Sequence, residues 1–180
     1  MRELIVESVR LSMQSYQRVV ILREKDSDRF LPIWIGAPEA EAIVLRLQDA
    51  KYPRPQTHDL LRNLIEQFGA RVLHILVNDL KEDTFFAHIV LEVNGETVEI
   101  DSRPSDAIAL AVRTSAPIYA EDAVLDEGAI KLEDESDLGA EGAESGGEAR
   151  PVDPAELERL GAFKDFIEGL DLSDFDERKG

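Results

Sequence analysis

Residues 84–100 read TFFAHIVLEVNGETVEI. Phe85, Ala87, Ile89, Leu91 and Val93 fall on alternate positions, the period of a strand with one face in a core. Asn94-Gly95 follows at once, a dipeptide suited to the two positive-φ positions of a tight hairpin turn. Residues 97–100 then return as the partner strand. So short a connection joins only antiparallel strands, and this sets the fold class.

Upstream, residues 71–77 supply a further strand. Residues 57–68 form a helix with Leu60, Leu61, Leu64, Ile65 and Phe68 at helical spacing, capped at its start by Thr57 and ended by Gly69. KYPRPQ, with two prolines, separates this helix from another over 38–49, where Pro38 and acidic residues open the first turn. Three strands begin the chain, at 4–11, 17–23 and 29–35, and the polar EKDSD pairs the second with the third. Downstream of the hairpin come a helix to about Thr114, rich in small residues, and a last strand near APIYAE. The order β-β-β-α-α-β-β-β-α-β predicts an α+β fold, a mixed and largely antiparallel sheet with helices packed on it.

The 180 residues are 43% apolar and include no cysteine, so a core is affordable while disulfides and thiolate metal sites are excluded. The longest apolar run, 107–112, is far too short for a membrane span. Glu3 and Glu7 interrupt any secretory core, so no signal is read there and a cytoplasmic location is expected. The formal net charge is −18. Residues 1–132 carry 15 basic against 22 acidic side chains, and residues 133–180 carry 5 against 16. Attraction to phosphate underlies tight non-specific nucleic-acid binding, and the chain as a whole lacks it. Three regions follow: a domain over 1–132, an acidic Gly- and Ser-rich linker over 133–153, and a short helix and tail over 154–180.

Two helix starts carry more than helix initiation needs. In SRPSDAIALAV, Ser102 or Ser105 serves as cap, Pro104 suits the first turn and Asp106 suits the dipole. Arg103 does not fit: it is a cation at the positive end of a helix, where it suits a bound anion or a nearby carboxylate. In RPQTHDLL, His58 is the surplus residue, able to serve as general base. If three helix starts converge, Glu39, Asp59 and Asp106 bind a hard cation such as Mg²⁺ or Mn²⁺, while Arg54 and Arg103 hold a substrate anion. The strand registers set out a separate row. The Asn94-Gly95 turn sets His88 opposite Asp101, and pairing of Asn78 with Thr84 sets His74 opposite His88, giving two histidines and an aspartate able to ligate zinc or iron. Trp34 is expected in the core or at an interface.

LPIWIGAPEAEAI (31–43), RPQTHDLL (54–61) and DSRPSDAIALAVRTSAPIY (101–119), taken in this order, resemble the bifunctional nuclease domain family of bacteria and plants. FKDFIEGLDLSDF (163–175) is similar to the tail of bacterial members, and the UvrB/UvrC-type motif of some members is not expected. The resemblance implies an α+β domain, a homodimer, and nuclease activity on DNA and RNA. Its motifs cover Glu39, Arg54, Pro55, Thr57, His58, Asp59, Arg103, Pro104, Ser105 and Asp106, but neither His74 nor His88. The expectation is therefore a divalent-metal-dependent nuclease. Catalysis is assigned to His58, Asp59, Asp106 and Glu39, and substrate binding to Arg54, Thr57, Arg103 and Ser105. Two rivals stand beside it. One is a non-catalytic module binding a small anion or protein partner through the Arg-Pro helix starts, and the other is an ion-paired dimer interface with Arg103 bonded to Asp59.

Overall fold

The computed structural model of the chain describes residues 1–11 and 17–131. The acidic linker and tail helix expected at 133–180 lie outside the described residues. The elements are β1 (Arg2–Leu11), β2 (Arg18–Glu24), β3 (Arg29–Ile35), α1 (Ala37–Leu47), α2 (Thr57–Gln67), β4 (Arg71–Lys81), β5 (Thr84–Val93), β6 (Glu96–Ser102), α3 (Pro104–Thr114), β7 (Ile118–Ala120), α4 (Asp122–Gly128) and β8 (Ile130–Lys131). The α+β class holds. α4 and β8 are additions to the expected order, both too short to leave a period in the sequence.

The strands form one sheet in the order β6-β5-β4-β7-β1-β2-β3-β8. Every neighbouring pair is antiparallel except β4 and β7, which run parallel. Two antiparallel meanders, β1-β2-β3 and β4-β5-β6, are thus joined by the three residues of β7. The hairpin over 84–102 matches expectation: Asn94 (φ 53°) and Gly95 (φ 85°) form the turn, and Val93 pairs with Glu96. Ala87, Ile89 and Leu91 are buried in the core cluster, with Phe85 and Val93 packed against it.

The histidine row does not form. β4 and β5 are joined by a two-residue turn, Glu82 (φ 47°) and Asp83 (φ 58°), so Thr84 pairs with Lys81 and not with Asn78. Register shifts between Val72 and His74 and between Val77 and Asp79 then set His74 opposite Val90. His88 does face Asp101, as the Asn94-Gly95 turn requires, but its Nδ1 lies 3.2 Å from a Glu99 carboxylate oxygen. Trp34 is 48% exposed and is not part of the core.

α4 touches both β3 and β4, which stand four places apart in the sheet, so the sheet curls around the core. A side chain at Gly128 would begin 3.1–3.2 Å from Phe85, Leu31 and Leu80, one residue from each of β5, β3 and β4. The other helices pack as a layer with α3 at its centre, touching α1, α2, β4 and β5. Burial explains its composition. Ala107, Ile108, Ala109, Leu110 and Ala111 are each 0–1% exposed, and the alanines let neighbouring backbones approach closely.

Because Ala109 is enclosed, Ala109→Leu is expected to overpack the layer and lower stability by about 1–3 kcal/mol. Urea denaturation of the full chain measures this; an unchanged midpoint would mean the layer has room to spare.

Candidate functional site

The three helices of this layer begin alike. Glu39, Asp59 and Asp106 each occupy the third position after their N-caps, Gly36, Gln56 and Arg103. An acid there favours the exposed N–H groups of the first turn. Only Asp59 reaches back to the backbone of its own cap, accepting the Gln56 N–H at 2.9 Å. Gln56, not Thr57, is therefore the cap of α2, and Thr57 becomes its first helical residue. At α3 neither serine caps by a side-chain bond: Arg103 is the N-cap residue, extended at φ −69° and ψ 141°. The Ser102 hydroxyl is buried without a hydrogen-bond partner.

Freed from capping, the other two acids bond across helices. Arg103 donates from Nε to Asp106 Oδ2 at 2.7 Å and from a terminal nitrogen to Glu39 Oε1 at 2.8 Å. His58 Nε2 lies 3.0 Å from Asp106 Oδ1. One guanidinium and one imidazole thus share a carboxylate, and the first turns of α1, α2 and α3 are drawn together. α1 also runs alongside α3 at the far end, where Arg46 donates to the Val112 carbonyl at 3.3 Å. Gly36 makes room at the near end. A Cβ there would stand only 2.2 Å from Glu39 Oε2, so the cap position has to lack a side chain for Glu39 to lie as it does.

Asp59 is not part of this group. Its Oδ1 accepts a 2.7 Å bond from Arg113, a residue only 6% exposed, which also donates to the Ala109 carbonyl at 2.8 Å. Within the chain the partner of Asp59 is thus Arg113 and not Arg103. Arg113 was missed because a cation in a last helical turn is ordinary. One signal was present: Arg113 follows Asp106 by seven residues, two turns along one face of α3, where it meets the same helix.

A cleft of about 460 Å³ opens over the group and is lined by Glu39, Thr57, His58, Arg103 and Asp106, with Pro38, Glu41, Ala42, Leu45, Tyr52 and Gln56 around them. Ser105 lies elsewhere, in a neighbouring cleft of about 320 Å³ beside Trp34, Thr84 and Phe85, which Arg103 also borders. Arg54 is exposed in the α1–α2 loop, outside the lining of the main cleft.

For Asp106, burial opposes ionisation, but the bonds from Arg103 and then His58 outweigh it and hold the carboxyl below its ordinary range. Asp106 is therefore an acceptor near neutral pH. His58 Nε2 then carries the hydrogen between them, and in the neutral form of the ring the lone pair is on Nδ1. Asp59 is also held low: burial again opposes ionisation, and the Gln56 N–H and Arg113 prevail. The expected three-carboxylate ion site does not assemble. Among the described residues no three His, Asp or Glu side chains gather to hold a metal ion. Arg103 stands between Glu39 and Asp106, and Asp59 is turned to Arg113, so these side chains do not fit a resident Mg²⁺ or Mn²⁺.

Asp59→Asn leaves the buried Arg113 without a counter-charge and is expected to cost about 3 kcal/mol at neutral pH. The sign with pH follows from the lowered folded-state value. The contribution of Asp59 is complete above the ordinary carboxyl value of 3.8 and is lost as pH falls through the lower folded value. Urea midpoints of the two proteins are therefore expected to converge below about pH 4, and a gap independent of pH would refute the pair's electrostatic role.

The family model described as the bifunctional nuclease domain matches residues 20–133, which include all three helix starts. An uncharacterized protein of Mycobacterium tuberculosis is 39% identical over 97% of this chain and 98% of its own length. Bifunctional nuclease 1 of Oryza sativa subsp. japonica is 27% identical over 57% of this chain and 32% of its own length. Bifunctional nuclease 2 of Arabidopsis thaliana is 26% identical over the same shares. The similarity to the plant proteins thus covers about a third of their length, while the mycobacterial protein is matched nearly end to end. With its family model spanning well over half of its residues, the chain belongs to the bifunctional nuclease domain family.

Proposed function

We propose that the cleft over α1, α2 and α3 hydrolyses phosphodiester bonds of DNA or RNA. The observation that supports this best is the chain of bonds from Arg103 through Asp106 to His58, at the edge of a cleft large enough for a nucleotide. In this reading Asp106 orients the imidazole and His58 Nδ1 takes a proton from water as its oxygen attacks phosphorus. Arg103 offers its remaining N–H groups to the phosphate oxygens, where charge builds up. The bond to the leaving oxygen breaks, and that oxygen takes the proton back from His58. The products are a phosphomonoester and an alcohol. Glu39 holds Arg103 in place, and Asp59 acts through Arg113 by fixing α2 against α3.

No step in this scheme runs through a metal ion. Dependence on Mg²⁺ or Mn²⁺ is the part of the proposal that requires displacement of Arg103 from Glu39 and Asp106. The protein is further proposed to act as a homodimer in the cytoplasm. Exposed Val98 and Ile100 on the edge strand β6, and Leu60, Leu64 and Phe68 on and beside α2, offer apolar surface for a second copy. Among the described residues no helix is long and apolar enough to cross a membrane. The alternative is a non-catalytic pocket in which the same remaining N–H groups of Arg103 hold a small anion and His58 moves no proton.

Cleavage of fluorescent single- and double-stranded DNA and RNA, with Mg²⁺, with Mn²⁺ and with EDTA, tests the proposal. His58→Ala and Asp106→Asn, shown to be folded by circular dichroism, are expected to lower turnover by about 10²- to 10⁴-fold. Equal cleavage by the parent and both variants would sink the assignment. Loss of activity in EDTA would show that an ion takes part.

A further inference from the structure

The described residues include fifteen lysine and arginine side chains, and eleven of them lie within 4.0 Å of a carboxylate. That is the expected outcome in so acidic a chain. Arg10, Arg18, Lys51 and Arg54 are the exceptions. Arg10 and Arg18 come from adjacent strands, and Arg10 bonds the Ser8 hydroxyl at 3.3 Å. Lys51 and Arg54 belong to one stretch, KYPRPQ, in the nine-residue loop (48–56) that joins α1 to α2. Between them is Tyr52, 47% exposed and lining the same cleft as His58, Arg103 and Asp106.

Few surfaces need an exposed aromatic ring between two unneutralised cations. In solution a tyrosine ring gains by covering its faces, and the lysine and arginine gain by acquiring anionic partners. A single strand of nucleic acid supplies both, as an unpaired base and the phosphates on either side of it. Pro53 and Pro55 restrict the loop, so little freedom is lost when it engages a ligand. The net charge sharpens the argument. A chain at −18 does not draw a polyanion by its overall field. Affinity has to come from short-range contacts, and stacking on a ring is insensitive to that field. A duplex keeps its bases paired inside and offers the ring no free face.

We propose that the α1–α2 loop is a binding subsite for single-stranded nucleic acid, with an unpaired base stacked on Tyr52 and the flanking phosphates met by Lys51 and Arg54. The subsite rests on the phosphodiesterase reading of the cleft and extends it: single strands are the substrate, held by one base beside the bond to be cut.

The test is fluorescence anisotropy with a short labelled oligodeoxynucleotide, as a single strand and as a blunt-ended duplex. It uses the full chain carrying His58→Ala so that nothing is cut, alongside cleavage kinetics in the unsubstituted background. Tyr52→Ala is expected to weaken single-strand binding by roughly 5- to 150-fold, the range for losing one stacked base. Tyr52→Phe is expected to retain binding, and the blunt-ended duplex to be bound weakly by all three. Lys51→Ala with Arg54→Ala is expected to reduce the slope of log affinity against log salt by about 1.4, two single-strand phosphate contacts. If the parent cuts nucleic acid while Tyr52→Ala changes neither single-strand affinity nor KM, the subsite is wrong and the phosphodiesterase reading stands. If Tyr52→Ala abolishes single-strand binding but no form of the protein cuts, the subsite stands and the hydrolytic reading falls. Absence of binding and of cleavage in every form overturns both.

Discussion

The close packing of α3 is the constraint on which the rest of the structure depends. Its alanines let α1, α2 and the sheet approach a helix whose middle is wholly buried. Larger residues would hold the neighbours apart, and the cross-helix bonds at its start would then be out of reach. His58 on α2 meets Asp106 at 3.0 Å, and Glu39 on α1 meets Arg103 at 2.8 Å, only because the apolar layer has already set those distances. The polar group refines a geometry that burial establishes.

Repetition of one local device gives the site its charge. Each helix brings an acid at the third position, where the first turn favours it. What each acid does next depends on its surroundings. Asp59 closes its own cap and pairs with a buried arginine, a structural use. Asp106 is shared between Arg103 and His58, which leaves an oriented imidazole at the edge of a cleft. The same residue type at the same helical position thus serves stability in one helix and proposed chemistry in another. The difference is made by Arg113 and Arg103, the cations that reach them. The Arg103 bridge also bears on the metal question, because a guanidinium occupies the interval where two carboxylates would otherwise invite a cation.

The histidines on the sheet show the limits of pattern reading. The Asn94-Gly95 turn carried its own geometry, and pairing from Val93 with Glu96 outward to His88 with Asp101 followed from it. The other side of β5 offered no such signal. Glu82 and Asp83 form a turn with positive φ at both residues, a conformation that glutamate rarely adopts, and β4 shifts register twice. His74 therefore ends beside Tyr119, in an edge-on ring contact with centroids 5.5 Å apart. β7 was equally opaque in position. Its three residues read as a terminal strand, yet they lie between β4 and β1 and join the two halves of the sheet.

The sequence by itself determined the elements whose causes are local: the hairpin from alternation and its turn, the helices from period and first-turn residues, and the family from three motifs. It also singled out Arg103 as a residue helix initiation does not require, and His58 beside a cap. Only the tertiary structure decided the partners. It joined Arg103 to Glu39 and Asp106, removed Asp59 to Arg113, set Ser105 in a second cleft and left Arg54 outside the main one. The physical reason is the range of the forces involved. Strand period, turn conformation and capping act within a few residues. Ion pairs join side chains as far apart in the chain as Glu39 and Arg103, and their matching depends on helix packing that no single segment encodes.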